Sequence, residues 1–222
     1  MKVCALYSGG KDSTYAIHWA VLHGFEVVRT VTLVPLNRES WMFQVPNVAW
    51  APLASEAMGI GSMVFFTSGL KDKELDDLRR AFEACKAIGA RGIVSGALLS
   101  DYQRMNIAVV AEDVGLKAYS PLWRKDQAKY MEELVDEGFE ILITSASAYG
   151  FPFELVGKVL DHEGVRKVIE VSKRFGFNPA FEGGEAETFV IYAPLFKRRL
   201  YVEGEKKRLG EYEWVYAIRR IL

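Results

Sequence analysis

Cysteine, histidine and side-chain amides are scarce: the 222 residues include two Cys, three His, three Gln and four Asn. Cys4 and Cys85 sit in apolar patterns and read as reduced core residues, which excludes a disulfide framework and a cysteine-based zinc cluster. His18, His23 and His162 lack metal-ligand spacing, so a structural zinc site is not expected. An excess of one charge is also missing. With 28 basic against 29 acidic residues and a pI near 6.3, the chain is no general polyanion binder, although a local basic patch stays open. No run of 18 apolar residues and no secretory leader occurs, so a soluble, cytoplasmic protein without membrane contact is expected. The scarcity of amides beside many charges fits a thermophilic source. There is no internal repeat and no low-complexity segment.

What is present is apolar mass: half the residues are hydrophobic, enough for one large domain or two small ones. The chemistry begins at Tyr7-Ser8-Gly9-Gly10-Lys11-Asp12-Ser13, between an apolar run, Val3 to Leu6, and a helical pattern from Thr14 to Leu22 with Ile17, Ala20 and Val21 on one face. Adjacent glycines allow positive φ and bring backbone N–H groups close to a ligand. The helix start behind them offers unpaired donors and a positive dipole end, which suits anions. Lys11 adds a mobile positive charge, and Ser8 and Ser13 add hydroxyls. Asp12 would repel bare phosphate but can orient the loop or hold magnesium through water. A Walker loop is excluded, because Ala5 stands where that motif needs its first glycine. An ordinary glycine turn is the competing reading, but it has no use for a central lysine.

Further along, Phe25 to Leu33 reads as a second strand, giving a right-handed parallel unit with the first. The segment 34–54 carries prolines together with Trp41, Met42, Phe43 and Trp50, and reads either as a lid or adenine wall or as a loop folded over its own aromatics. A short helix at Ala54–Gly59 and a strand at Ser62–Phe66 precede an amphipathic helix, Lys71–Ile88, with Leu75, Leu78, Phe82, Cys85 and Ile88 inward. Gly92–Ala97 is a fourth strand whose Ser95 and Gly96 would let the sheet approach a nucleotide. Ser100 or Asp101 caps a helix running to about Val114, with Tyr102, Gln103 and Arg104 in its first turn. A fifth strand, Lys117–Leu122, closes a domain of residues 1–124. Residues 125–222 read as a second, smaller α+β domain: helix 126–137, strand 139–144, a polar loop 145–152, helices 154–160 and 163–175, strand 189–192 and hairpins over 198–220.

Before that last strand stand Glu182, Glu185 and Glu187, within six residues on a Gly183-Gly184 turn and followed by Thr188. Like charges so close repel. A solvated acidic turn is one reading. The other is a site that holds magnesium, binds a cation or moves protons, with Glu187 and Thr188 held most rigidly beside the strand.

Ser8 to Ser13 resembles the PP-loop of the ATP pyrophosphatases, which cleave ATP between the α and β phosphates. Together with Ser95-Gly96-Ala97, Asp101-Tyr102-Gln103-Arg104 and the Glu182 to Thr188 segment, it is similar to the diphthine–ammonia ligase family over nearly the whole chain. That family often has a glycine before the first glutamate and an aromatic between the later pair, where this chain has Phe181 and Ala186. The resemblance implies a Rossmann-like, HUP-type α/β fold: a parallel five-stranded sheet with helices on both faces, plus the smaller domain. It implies ATP at Ser8, Gly9, Gly10, Lys11, Asp12, Ser13, Ser95 and Gly96, with magnesium at Asp12 through water, and substrate contacts from Tyr102, Gln103, Arg104, Glu182, Glu187 and Thr188. It implies Lys11, Glu185 and Glu187 as catalytic groups, and amidation of diphthine on elongation factor 2 through an acyl adenylate. Free ammonium is the expected nitrogen source, because no cysteine–histidine pair suggests a built-in glutaminase. A homodimer stays open. Two other readings are a tRNA-modifying PP-loop enzyme, for which Lys197-Arg198-Arg199 and Lys206-Lys207-Arg208 could serve RNA, and a non-catalytic nucleotide-binding protein.

Overall fold

A computed structural model describes residues 1–36, 47–68 and 71–222. The lid or adenine wall expected around Trp41, Met42 and Phe43 lies outside the described residues. The chain divides into two compact units, Met1–Arg124 and Lys125–Leu222.

In the first unit β1 (Lys2–Leu6), α1 (Lys11–Leu22), β2 (Glu26–Pro35), α2 (Ala51–Ala57), β3 (Ser62–Thr67), α3 (Lys71–Ala87), β4 (Gly92–Val94), α4 (Asp101–Val114) and β5 (Lys117–Tyr119) follow in order. The five strands form one parallel sheet in the order β3-β2-β1-β4-β5. Val3, Cys4 and Ala5 are fully buried, as a strand covered on both faces must be. Right-handed crossovers run outward from β1 in opposite directions, which puts α1 and α2 on one face and α3 and α4 on the other. On the latter face Leu78, Phe82, Cys85, Val110 and Ala111 pack over Cys4, Val31, Leu33 and Ile93. Each fully buried Leu or Phe there is worth about 1.5–3 kcal/mol. Two residues expected inward are not. Ile88 follows the last helical residue and is 44% exposed, and Val21 overhangs the last turn of α1 at 38%.

The second unit holds α5 (Gln127–Asp136), β6 (Glu140–Ala146), α6 (His162–Phe175), β7 (Ala186–Tyr192), β8 (Val202–Arg208) and β9 (Trp214–Ile221). Its strands form an antiparallel sheet in the order β7-β6-β9-β8. The caps are local: Asp126 accepts from the Lys129 N–H and Asp161 from the Gly164 N–H, and Gly176 ends α6 at φ +78°. The helix expected over 154–160 does not form. A single turn at Phe153–Leu155 gives way to Gly157 at φ +84°, and the segment spends its backbone hydrogen bonds on β6 instead. The Gly157 N–H donates to the Ile143 carbonyl, the Ile143 N–H to that of Lys158, and the Leu160 N–H to that of Ile141. Beyond them β9 takes over, pairing at Ser145 and Ala146. The tail makes one hairpin, β8–β9, rather than several.

Candidate functional site

In the first unit β1 lies between β2 and β4, so the connections leaving β1 and β4 diverge and open a crevice at their carboxyl ends. Ser8 to Ser13 leaves β1 at that point, and Ser95-Gly96-Ala97 leaves β4, which ends at Val94 rather than Ala97. Only one glycine of the pair needs its freedom: Gly9 has φ +80°, whereas Gly10 is extended and caps α1. The helix starts at Lys11, three residues earlier than its apolar pattern suggests, so Lys11, Asp12 and Ser13 form its first turn. Hydroxyls lock that turn. Ser13 Oγ donates to the Gly10 carbonyl at 3.1 Å, Thr14 Oγ1 donates to the same carbonyl at 2.8 Å, and the Ser8 N–H reaches Ser13 Oγ at 3.3 Å.

Lys11 is not the mobile charge its place in a loop suggests. Its side chain is 3% exposed, and Nζ donates to Asp12 Oδ2 at 2.8 Å. Gly96 is pressed against the same turn. A Cβ there would lie 2.6 Å from the Asp12 carbonyl carbon and 2.7 Å from the Ser13 nitrogen, so no side chain fits. Ser95 is buried, with Oγ 3.1 Å from Ser120 Oγ. Below the loop, burial holds the Tyr7 phenol protonated. Burial also lowers the His18 pKa, and Nδ1 of that ring donates to the Thr14 carbonyl at 2.8 Å.

Ser100 is the cap of α4, its hydroxyl accepting from the Gln103 N–H at 3.2 Å. Tyr102 packs against the core cluster. Arg104 stands 3.5 Å from the Asp101 carboxylate, with its guanidinium 4.4 Å from the ring centre of Trp123. Trp123 falls at the end of the first unit, next to its last residue Arg124. It lies 19 positions after Arg104, so no local spacing announces the stack.

The acidic turn belongs to the second unit. Glu185 lies inside it as a clasp: Oε1 accepts from the Asn178 N–H and Oε2 from the Gly183 N–H, both at 2.8 Å. Ser147 pins the turn from outside, its N–H donating to the Glu185 carbonyl at 2.8 Å and its hydroxyl to that of Gly184 at 3.0 Å. Glu187 and Thr188 are within β7 itself, opposite Ser145 and Ile143. Strand alternation puts Glu187 on the face away from buried Ala186 and Thr188. Glu182 and Glu187 are half-buried. Phe181, in place of the family's common glycine, has φ +68° and is buried against Phe151 at 5.7 Å. Glycine suits that position because it is left-handed. Here ring burial offsets a backbone cost of about 1–3 kcal/mol.

Among the described residues no group of three or more His, Cys, Asp or Glu is arranged to hold a metal ion. A magnesium ion shared with phosphates and water needs only one or two carboxylates, and Asp12 at the loop fits that lesser demand.

The candidate residues thus fall into two sets: Ser8 to Ser13, Ser95, Gly96 and Tyr102 to Arg104 in one unit, Glu182 to Thr188 in the other. Comparison with known proteins completes the picture. Residues 1–118 match the diphthamide synthase N-terminal domain and residues 126–222 the diphthamide synthase C-terminal domain. The chain is 30% identical to the diphthine–ammonia ligases of Bos taurus and Homo sapiens, over 93% of its own length and 84% of theirs. It is 32% identical to that of Schizosaccharomyces pombe over 90% of its length, which is 36% of that longer protein. A solved structure, a predicted subunit of tRNA methyltransferase from Methanocaldococcus jannaschii, is similar at 16% identity and a TM-score of 0.45, covering 87% of this chain and 98% of that one. With both domain models matched in order and a relative covered over most of its length, the chain belongs to the diphthamide synthase family.

Proposed function

We propose that this chain is an ATP-dependent amide ligase that converts diphthine on elongation factor 2 to diphthamide with ammonia, releasing AMP and pyrophosphate. The observation that carries the reading is a complete PP-loop at the topological switch point, backed by a glycine at which any Cβ would press on the main chain of Asp12 and Ser13. A carboxylate does not react with ammonia in water, because its oxygen is a poor leaving group. Attack of that carboxylate on the α-phosphate of ATP gives an acyl adenylate and expels pyrophosphate as one unit. Backbone N–H groups around Gly9 and Gly10 and the Lys11 ammonium stabilise the charge that develops on the departing diphosphate. Magnesium held through water by Asp12 would supply further neutralisation of that charge. Ammonium must lose a proton before it attacks the adenylate. Glu187 is assigned as the acceptor of that proton and Glu185 as a clasp of the turn, whose two oxygens receive backbone N–H bonds. Glu182 and Thr188 complete the substrate contacts in that unit, with Tyr102, Gln103 and Arg104 in the other.

The basic runs that would favour RNA have other work. Lys206 Nζ donates to the Phe153 carbonyl at 2.6 Å and lies 5.0 Å from the Trp214 ring centre, Lys207 is 3.4 Å from Glu205, and Arg199 is 2.5 Å from Glu140. The reaction belongs in the cytoplasm with its protein substrate; among the described residues no helix is long and apolar enough to cross a membrane.

The test is pyrophosphate and AMP release from ATP with ammonium and diphthine-bearing elongation factor 2. Release that needs all three supports the ligase. ATP binding with no AMP in the presence of that partner would leave a nucleotide-binding protein, and AMP formed only with tRNA would leave the modifying enzyme. Lys11→Ala should abolish AMP formation at unchanged circular dichroism; retained turnover would overturn the assigned phosphate site.

A further inference from the structure

We propose that Arg104, Trp123 and Arg124 together form an oxyanion receptor, with Trp123 as its positioning residue; this rests on the ligase reading above. The corner they occupy is built on the stretch that backs the phosphate loop. Gly96 touches Asp12 and Ser13, the Leu98 carbonyl accepts from the Arg124 N–H at 2.9 Å, and the Ser120 carbonyl accepts from the Trp123 N–H at 3.1 Å. Trp123 is half-buried and presents its ring to two guanidinium groups, Arg104 at 4.4 Å and Arg124 at 5.6 Å from the ring centre.

Two like charges on one indole are costly unless something anionic joins them. Among the described residues the only carboxylate paired with either is Asp101, 3.5 Å from Arg104, and its side chain is 63% exposed. At least one positive charge is left over. Arg104 Nε is shielded from solvent and has no hydrogen-bond acceptor among the described residues. Arg124 holds a left-handed backbone, φ +59°, at a point where a plain linker would carry glycine or asparagine. Strain of this kind persists where the surroundings enforce it, and it gathers at ligand sites.

The chemistry that such a pair recognises is a planar or tetrahedral oxyanion. A guanidinium presents several N–H donors in a fixed fork, and stacking on indole fixes the plane of the fork before the ligand arrives. Two sources of that group enter the proposed reaction, a phosphate of ATP and the carboxylate of the protein-borne substrate.

The experiment compares the full chain with Arg124→Gln, Trp123→Leu and Trp123→Phe. It measures the Kd for ATP by calorimetry, and the KM and kcat for diphthine-bearing elongation factor 2 at saturating ATP. Arg124→Gln and Trp123→Leu should each weaken one ligand about tenfold or more, which is about 1.4 kcal/mol. Trp123→Phe, which keeps a π face, should stay within about threefold. A rise in the Kd for ATP assigns the receptor to phosphate. A rise in KM for the protein at unchanged Kd for ATP assigns it to the carboxylate. If Trp123→Leu unfolds, Arg124→Gln decides, since it removes only an exposed charge. Unchanged Kd and KM in Arg124→Gln, or Trp123→Phe failing as badly as Trp123→Leu while folded, overturns the receptor. Wild-type chain that makes no AMP from all three substrates refutes the ligase reading instead. The receptor is then judged by the Kd for ATP and for elongation factor 2 alone, and is overturned if neither moves in Arg124→Gln.

Discussion

At the scale of single residues, contacts to backbone atoms decide more than charge does. Gly96 meets main-chain atoms of Asp12 and Ser13, which have no flexible end to move aside. Gly96→Ala should therefore displace the start of α1, costing about 1–3 kcal/mol of stability and at least tenfold in ATP affinity. Gly210→Ala is the control, because its nearest neighbour is Glu213 Cβ at an ordinary 3.5 Å, and it should stay within about 0.5 kcal/mol by denaturant titration. His18 sets a pH dependence. Burial lowers its pKa from 6.5, so the folded state favours the neutral ring. The unfolded chain then binds more protons in that range, and stability that is complete above about pH 6.5 declines as pH falls through and below it. His18→Gln should flatten that part of a Tm-against-pH curve; a curve identical to wild type would contradict the assignment. The place of Ser8 to Ser13 between a strand and a helix was legible from residue types alone. The burial of Lys11 was not, because a lysine between glycine and aspartate reads as solvated until the fold closes over it.

At the scale of elements, the acidic turn separates into roles that its composition does not reveal. Three glutamates look alike in a line of sequence. Folded, Glu185 is a clasp across Asn178 and Gly183, while Glu187 stands in β7. Glu185→Gln replaces one accepting oxygen with a donor that faces a backbone N–H. It should lower Tm by loosening the turn, at about 1–3 kcal/mol, with KM affected more than kcat. Glu187→Gln should leave Tm unchanged and cut kcat by about 10²–10⁴, the range of a lost general base. The reverse pattern would exchange the two assignments. The strands and most helices were legible from periodicity. The 154–160 segment was not: its residues have a helical pattern, but its N–H and C=O groups find better partners along β6, a tertiary effect that no local window contains. The Arg104–Trp123 stack escaped for the same reason.

At the scale of the whole molecule, the parallel sheet was legible as a class because β1 and β2 are apolar runs joined through a helix. The order β3-β2-β1-β4-β5 was not, since nothing in β4 says which side of β1 it joins. That order is what places the phosphate loop and Gly96 at one crevice. In the other unit the order β7-β6-β9-β8 leaves a different mark. β9 reaches β6 only at Ser145 and Ala146, so on that side the polar backbone of Ile141 to Ile143 would be bare without Gly157 to Leu160 lying over it. An uncovered row of this kind recruits foreign strands. Gly157 at φ +84°, with a would-be Cβ 2.7 Å from the Tyr216 ring, is what lets the covering segment turn at that point. Gly157→Ala should shorten the soluble lifetime on warming, read as light scattering, while freshly prepared protein keeps its turnover.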